Sequence, residues 1–135
     1  MGFEPQFATS IESRNGVARV ALSGELDLAT VPMLRGHLAH LEREDVVAIV
    51  LDLRDLTFLD CSGLHAFLTA RKHAEANQHR LILVGASART RRLFELTGTE
   101  FLLDDREAAG VLARFTGEVT RRADRTATLN ADADA

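Results

Sequence analysis

Asp52-Leu53-Arg54-Asp55-Leu56-Thr57-Phe58-Leu59-Asp60-Cys61-Ser62-Gly63-Leu64 reads as an apolar strand running into a turn, then a polar knot that opens a helix. The knot, Asp60-Cys61-Ser62-Gly63, puts a carboxylate, a thiol and a hydroxyl at the helix N-terminus. Unpaired backbone N–H groups and the positive end of the helix dipole favour negative charge there. Asp60 is the natural N-cap, its side chain accepting from an N–H two or three residues on. Just upstream, Val46-Val47-Ala48-Ile49-Val50-Leu51 is a continuous, mostly β-branched run, the composition of a strand buried on both faces of a helix-covered parallel sheet. Downstream, Leu64, Phe67, Leu68, Arg71 and Ala74 follow helical spacing.

Toward the N-terminus, Phe7–Ser13 and Val17–Leu22 form two predicted strands. Arg14-Asn15-Gly16 between them contains the Asn-Gly pair that tolerates positive φ and marks a hairpin. Ser23-Gly24-Glu25-Leu26-Asp27 breaks the strand pattern. Thr30 is expected to cap a helix whose Val31, Leu34, Leu38 and Leu41 share one face, with Pro32 tolerated in the first turn. Toward the C-terminus, Leu81–Val84 is a short buried strand closed by Gly85. A helix from about Ser87 turns Leu93 and Leu96 inward and ends at Gly98, a C′ glycine. Phe101-Leu102-Leu103 reads as a last short strand, and Asp104 or Asp105 caps a helix with Ala108, Val111, Leu112 and Phe115 on one face.

The element order implies an α/β fold: one small, mixed, mostly parallel sheet with an N-terminal hairpin and about four helices packed on it by right-handed crossovers. The expected boundaries are an extension over 1–6, a domain over 7–116 and a disordered tail over 117–135. That tail has too few large apolar residues to offset its ordering entropy.

Composition narrows the function. The 135 residues, 46% hydrophobic, suffice for one core built from Leu, Val, Ile and Ala, since there are seven Phe but no Tyr or Trp. A net charge of −4 gives no basic surplus for direct nucleic-acid binding. One cysteine cannot form an internal disulfide, which fits a reducing compartment. No signal pattern opens the chain and no apolar run is long enough for membrane insertion, so a cytoplasmic protein is expected. Phosphate loops, zincin motifs, nucleophile elbows and cysteine sets are all missing. The expectation is a protein that is not an enzyme and holds no cofactor or metal.

Three segments together resemble a free-standing STAS domain of the anti-sigma-factor antagonist type: Leu22-Ser23-Gly24-Glu25-Leu26-Asp27, Val50-Leu51-Asp52-Leu53 through Leu64, and Arg92-Leu93-Phe94-Glu95-Leu96-Thr97-Gly98. The resemblance spans roughly Phe7 to Phe115. It implies partner switching: the antagonist binds an anti-sigma factor, often a histidine-kinase-like ATPase with serine-kinase activity, and so frees a sigma factor for transcription. In the family that kinase phosphorylates the Ser or Thr directly after the motif Asp, and the phosphorylated antagonist lets go. Here that position is Cys61, which has no hydroxyl, and Ser62 follows it. Neighbouring helical residues differ by about 100° in direction, so Ser62 does not simply inherit the role.

Cys61 thus has three readings: an inert replacement for serine, a redox-sensitive thiol, or, with His65 four residues on, half of a metal site that lacks further ligands. Ser62 is either a substitute phospho-acceptor or a local hydrogen-bonding group, and Thr57 is the other candidate hydroxyl. Expected partner-binding residues are Glu25, Asp27, Asp60, Cys61, Ser62, Gly63, Leu64 and His65. Glu25 and Asp27 join this set because loops after parallel strands gather at one end of a sheet. The alternative from another class is a non-phosphorylated STAS scaffold subunit of a stress-signalling or lipid-transport assembly, for which an acceptor hydroxyl is unnecessary.

Overall fold

Asn15 and Gly16 both adopt positive φ, 55° and 78°, the backbone of a two-residue hairpin turn that matches strand twist. The turn joins β1 (Phe7–Arg14) to β2 (Val17–Leu26), antiparallel from Phe7↔Gly24 to Arg14↔Val17. The remaining elements are α1 (Val31–Glu42), β3 (Ala48–Leu59), α2 (Cys61–Ala76), β4 (Arg80–Val84), α3 (Ala88–Leu96), a 3₁₀ turn (Glu100–Leu102) and α4 (Asp105–Thr116). This is a computed structural model, and it describes residues 6–116. The expected extension, except Gln6, and the expected disordered tail lie outside the described residues.

The sheet order is β1-β2-β3-β4, with β3 parallel to both β2 and β4. Alternation along β3 sends Ile49, Leu51 and Leu53 into a large core with Leu34 and Leu38 of α1, Leu64 and Phe67 of α2, and Phe94 of α3. Ala48 and Val50 face the other way, into a smaller core with Ile82, Ala108 and Val111. From Ala48 to Leu51 the run is therefore buried on both faces, as its composition implies, whereas Val46 and Val47 precede the strand and Val47 is exposed. Glu42 ties the helix ends together: its carboxylate lies 3.0 Å from His73 Nε2 and 3.4 Å from His79 Nε2.

Several sequence expectations are corrected. The turn expected ahead of the Asp60 motif is not formed, because β3 continues through Thr57 to Leu59. Between Ala21 and Ser23 of β2 the partner strand advances from Asp52 to Asp55, and between Gly24 and Glu25 it advances from Leu56 to Phe58. Each step inserts an extra residue into β3, and each insertion breaks the period of two by which a strand is recognised. Strand β2 likewise runs past Leu22 to Leu26. On α3 the buried residues are Thr90 and Phe94; Leu93 packs against the core half-buried as expected, while Leu96 is exposed. Phe101-Leu102-Leu103 forms mostly the 3₁₀ turn, with only Leu103 bridging Leu83.

Asp52 continues the row of Ala48 and Val50 along β3. It is buried, yet its Oδ2 accepts from Arg19 Nη2 at 3.0 Å and lies 3.7 Å from Arg54 Nη2, while Oδ1 accepts from the Arg54 N–H at 3.0 Å. Arg19 also reaches Glu12 at 3.7 Å. This charged row replaces apolar packing across β1, β2 and β3. A Cβ on Gly85 would come within 2.8 Å of Asp52 Oδ1, and Gly85 has φ +74°. Asp52→Ala should therefore cost about 2 kcal/mol, since the partially screened Arg19 loses its closer carboxylate and the Arg54 N–H its acceptor. Urea unfolding checks this, and Asp52→Asn should recover part of the loss.

Candidate functional site

The last pair between β2 and β3 is Leu26↔Leu59, and the chain turns at once into α2, with the Asp60 N–H donating to Leu26 O at 3.4 Å. Asp60 is extended (φ −115°, ψ −173°), and its Oδ1 accepts from the Gly63 N–H at 3.2 Å. The expected N-cap is in place. Gly63 is needed for a second reason: a Cβ there would overlap Leu59 Cδ1 and lie 3.1 Å from Leu26 O. The first turn of α2 can seat against the strand ends only because that position lacks a side chain.

This seating decides which residues face outward. Cys61 and His65 are exposed and Ser62 is half-buried. Gly63 and Leu64, expected among the partner-contacting residues, are buried instead, Leu64 in the main core. The helix turns these two positions onto the sheet, beneath the residues that face outward.

Glu25 and Asp27 differ in placement. Glu25 is exposed at the end of β2, opposite Phe58. Asp27 is half-buried and committed locally: Oδ1 accepts from the N–H groups of Ala29 at 3.0 Å and Thr30 at 3.1 Å. Thr30 occupies the N-cap position of α1 without a side-chain cap bond; its hydroxyl instead donates to Glu25 O at 2.8 Å and accepts from the Asp27 N–H at 3.0 Å. The Asp27 carboxylate thus closes the turn that leads into α1, and the first turn of the helix is held by backbone bonds, the Met33 N–H donating to Thr30 O at 2.9 Å. The Asp27 turn leaves Leu28 standing out, 77% exposed.

Leu28, Val31, Pro32, Arg35, Cys61, Ser62 and His65 line a shallow depression of about 400 Å³ between the start of α1 and the first turn of α2. Leu28, Pro32 and Arg35 are not among the residues that sequence reasoning assigns to the site. A large apolar residue in the Glu25–Thr30 loop is the available signal for Leu28; for Arg35 the signal is its spacing of four from Val31, which puts both on one helical flank. Thr57 is not gathered into this depression. It is exposed on β3, not in a turn, and belongs to a separate groove lined by Thr57, Phe58, Leu59 and α3 residues. Among the described residues no set of three His, Cys, Asp or Glu side chains is placed to hold a metal ion, so Cys61 and His65 gain no third ligand. Among the same residues no helix is long and apolar enough to cross a membrane.

The family model of the STAS domain matches residues 8–108. The chain is similar to the anti-sigma-B factor antagonist of Staphylococcus aureus (strain NCTC 8325 / PS 47), 34% identical over 92 residues, covering 68% of this chain and 85% of that one. Among solved structures, the anti-sigma factor antagonist SpoIIAA in its unphosphorylated form is 26% identical with a TM-score of 0.68, over 82% of this chain and 97% of that one. The phosphorylated form of the Bacillus cell fate determinant SpoIIAA is 25% identical with a TM-score of 0.60, over 78% and 99%.

Two positions separate the contributions to this turn. Asp60→Ala should cost about 1 kcal/mol through the lost cap, and Asp60→Asn should restore most of it. Gly63→Ala should cost about 1–3 kcal/mol through overpacking against Leu59 and Leu26. Chemical denaturation of the three variants checks both values.

Proposed function

The chain belongs to the STAS-domain family of anti-sigma-factor antagonists, and from that premise we propose that it binds an anti-sigma factor and thereby frees a sigma factor for transcription. The observation that carries this reading is the first turn of α2, with Cys61 and His65 exposed and Asp60 and Ser62 half-buried, beside a depression rimmed by Leu28 and Pro32. Apolar rims around a few polar groups suit protein contact. The proposed contact set is Glu25, Asp60, Cys61, Ser62 and His65, with Leu28 and Pro32 added by the geometry. Asp27, Gly63 and Leu64 hold that surface in shape. The proposed partner is an anti-sigma factor of the histidine-kinase-like ATPase class in the cytoplasm, and the chain acts by binding, without catalysis, cofactor or direct contact with nucleic acid.

Cys61 sets the regulation. A kinase that esterifies a hydroxyl finds none at that exposed position. The proposed unphosphorylated antagonist therefore stays competent where relatives with a hydroxyl would be released. A phosphate on Ser62 would add about −1.5 to −2 charges beside Asp60 and would restore a switch from a displaced position. The absence of a hydroxyl at position 61 also favours a second reading, a scaffold subunit that never needed an acceptor. Co-purification with a transporter ATPase or a scaffold, in place of a kinase-like ATPase, would select it.

The test uses candidate anti-sigma factors from the genome that encodes this chain. The protein should bind one of them and remain bound when ATP is added, whereas Cys61→Ser should acquire phosphate at position 61 and dissociate. Peptide mass mapping follows the tryptic fragment Asp55–Arg71, which holds Thr57, Cys61, Ser62 and His65 together. Phosphate on Ser62 or Thr57 of the unaltered protein, with release, would overturn the unswitched form of the proposal. Failure of every candidate to bind would overturn the antagonist role.

A further inference from the structure

We infer that the groove between the end of β3 and α3 is a second docking site, and that it takes an acidic, apolar-faced segment of the protein partner. Thr57, Phe58 and Leu59 form one wall, and Arg89, Arg92, Leu93 and Leu96 with Thr90 form the other, enclosing about 400 Å³. Phe58 is 48% exposed and Leu96 is 70% exposed. These are not core residues that failed to fit. Helix α3 already meets the core through Thr90 and through Phe94, whose ring stacks on Phe67 with centroids 6.3 Å apart. Leu93 is half-buried and packs against the edge of the main core, while Leu96, at the end of the helix, stands exposed in the groove that Phe58 also lines.

The charge on this groove points to the sign of its occupant. Arg89 and Arg92 are exposed and make no ion pair among the described residues, whereas Arg91, outside the groove, faces Asp105 at 3.6 Å. Two guanidinium groups without carboxylate partners beside an apolar floor match a segment that carries carboxylates around leucine-like side chains. Such complementarity sets partner choice and encounter rate more than raw affinity. The groove is also continuous with the proposed contact turn, since Leu59 in its wall is followed directly by Asp60. A partner seated on the α2 turn would thus extend over it, and in this respect the inference rests on the antagonist reading.

The test is an NMR titration of the isotope-labelled full chain with two synthetic helical peptides. Both carry leucines along one face; one has glutamates on the flanks and the other has lysines at the same positions. The acidic peptide should shift the amide resonances of Thr57–Leu59 and Arg89–Leu96 and leave those of Leu28–Arg35 in place. It should bind at least about tenfold more tightly than the basic peptide and weaken with added salt. Arg89→Glu with Arg92→Glu, both on the exposed side of α3, should reverse the preference, and Phe58→Ser should weaken binding of the acidic peptide. Equal binding of the two peptides, shifts confined to the α1–α2 depression, or no shift at millimolar peptide would each overturn the inference. The anti-sigma binding assay uses no peptide, so failure of the antagonist role and failure of the groove give separate results.

Discussion

The structure turns on the close approach of the first turn of α2 to the ends of β2 and β3. Leu26 O takes the Asp60 N–H, and the space that a side chain on Gly63 would need is filled by Leu59 and Leu26. That contact fixes where α2 leaves the sheet and how it is rotated. Rotation in turn sends Leu64 and Phe67 into the main core and leaves Cys61 and His65 outside. The surface proposed to meet a partner is thus a by-product of core packing. Side chains on opposite sides of one helical turn cannot be re-aimed independently, because interiors are close-packed and a rotation that exposed Leu64 would open the core.

The same contact explains why Cys61 is tolerated. At the first helical position its backbone N–H is one of those left without an intrahelical partner, and the cap is supplied by Asp60. Its side chain is an exposed free thiol at the edge of the depression, where a hydroxyl of similar size is accommodated as well. Folding is therefore indifferent to serine or cysteine here. The consequence of the replacement falls on chemistry at the surface, where a hydroxyl can be esterified by a kinase and a thiol is a different nucleophile.

Much of this is legible in the sequence, and the parts that are not share a cause. The Asn15-Gly16 turn, the doubly buried β3 and the Asp60 cap are readable because each is a local rule: positive φ, continuous β-branched composition, a short acceptor before a helix. The length of β3 is hidden by two inserted residues, a pairing irregularity that only the partner strand reveals. The burial of Phe94 in place of Leu96 depends on where Phe67 lies on another helix, which periodicity within α3 does not report. Asp27 reads as an interface carboxylate in the sequence, yet its bonds to Ala29 and Thr30 make it the residue that shapes the loop. In the candidate site, the segment on α2 is visible as a motif, whereas Leu28, Pro32 and Arg35 carry at most weak local signals and are brought to it by the packing of α1 beside α2.

The two ends of β3 are specialised for different tasks, and the irregular pairing is what permits this. Up to Leu51 the strand alternates strictly and both faces are buried. Beyond Asp52 the extra residues shift the alternation, so that Leu53 and Leu56 stay buried while Thr57 and Phe58 are exposed in succession. A strand in strict alternation could not expose two adjacent side chains and then deliver Leu59 back against the core. The insertions therefore place an aromatic residue beside the motif while keeping the α2 start in register with Leu26. The regular half of the strand is buried on both faces, and the half that borders the proposed contact surface is the half in which regular pairing is relaxed.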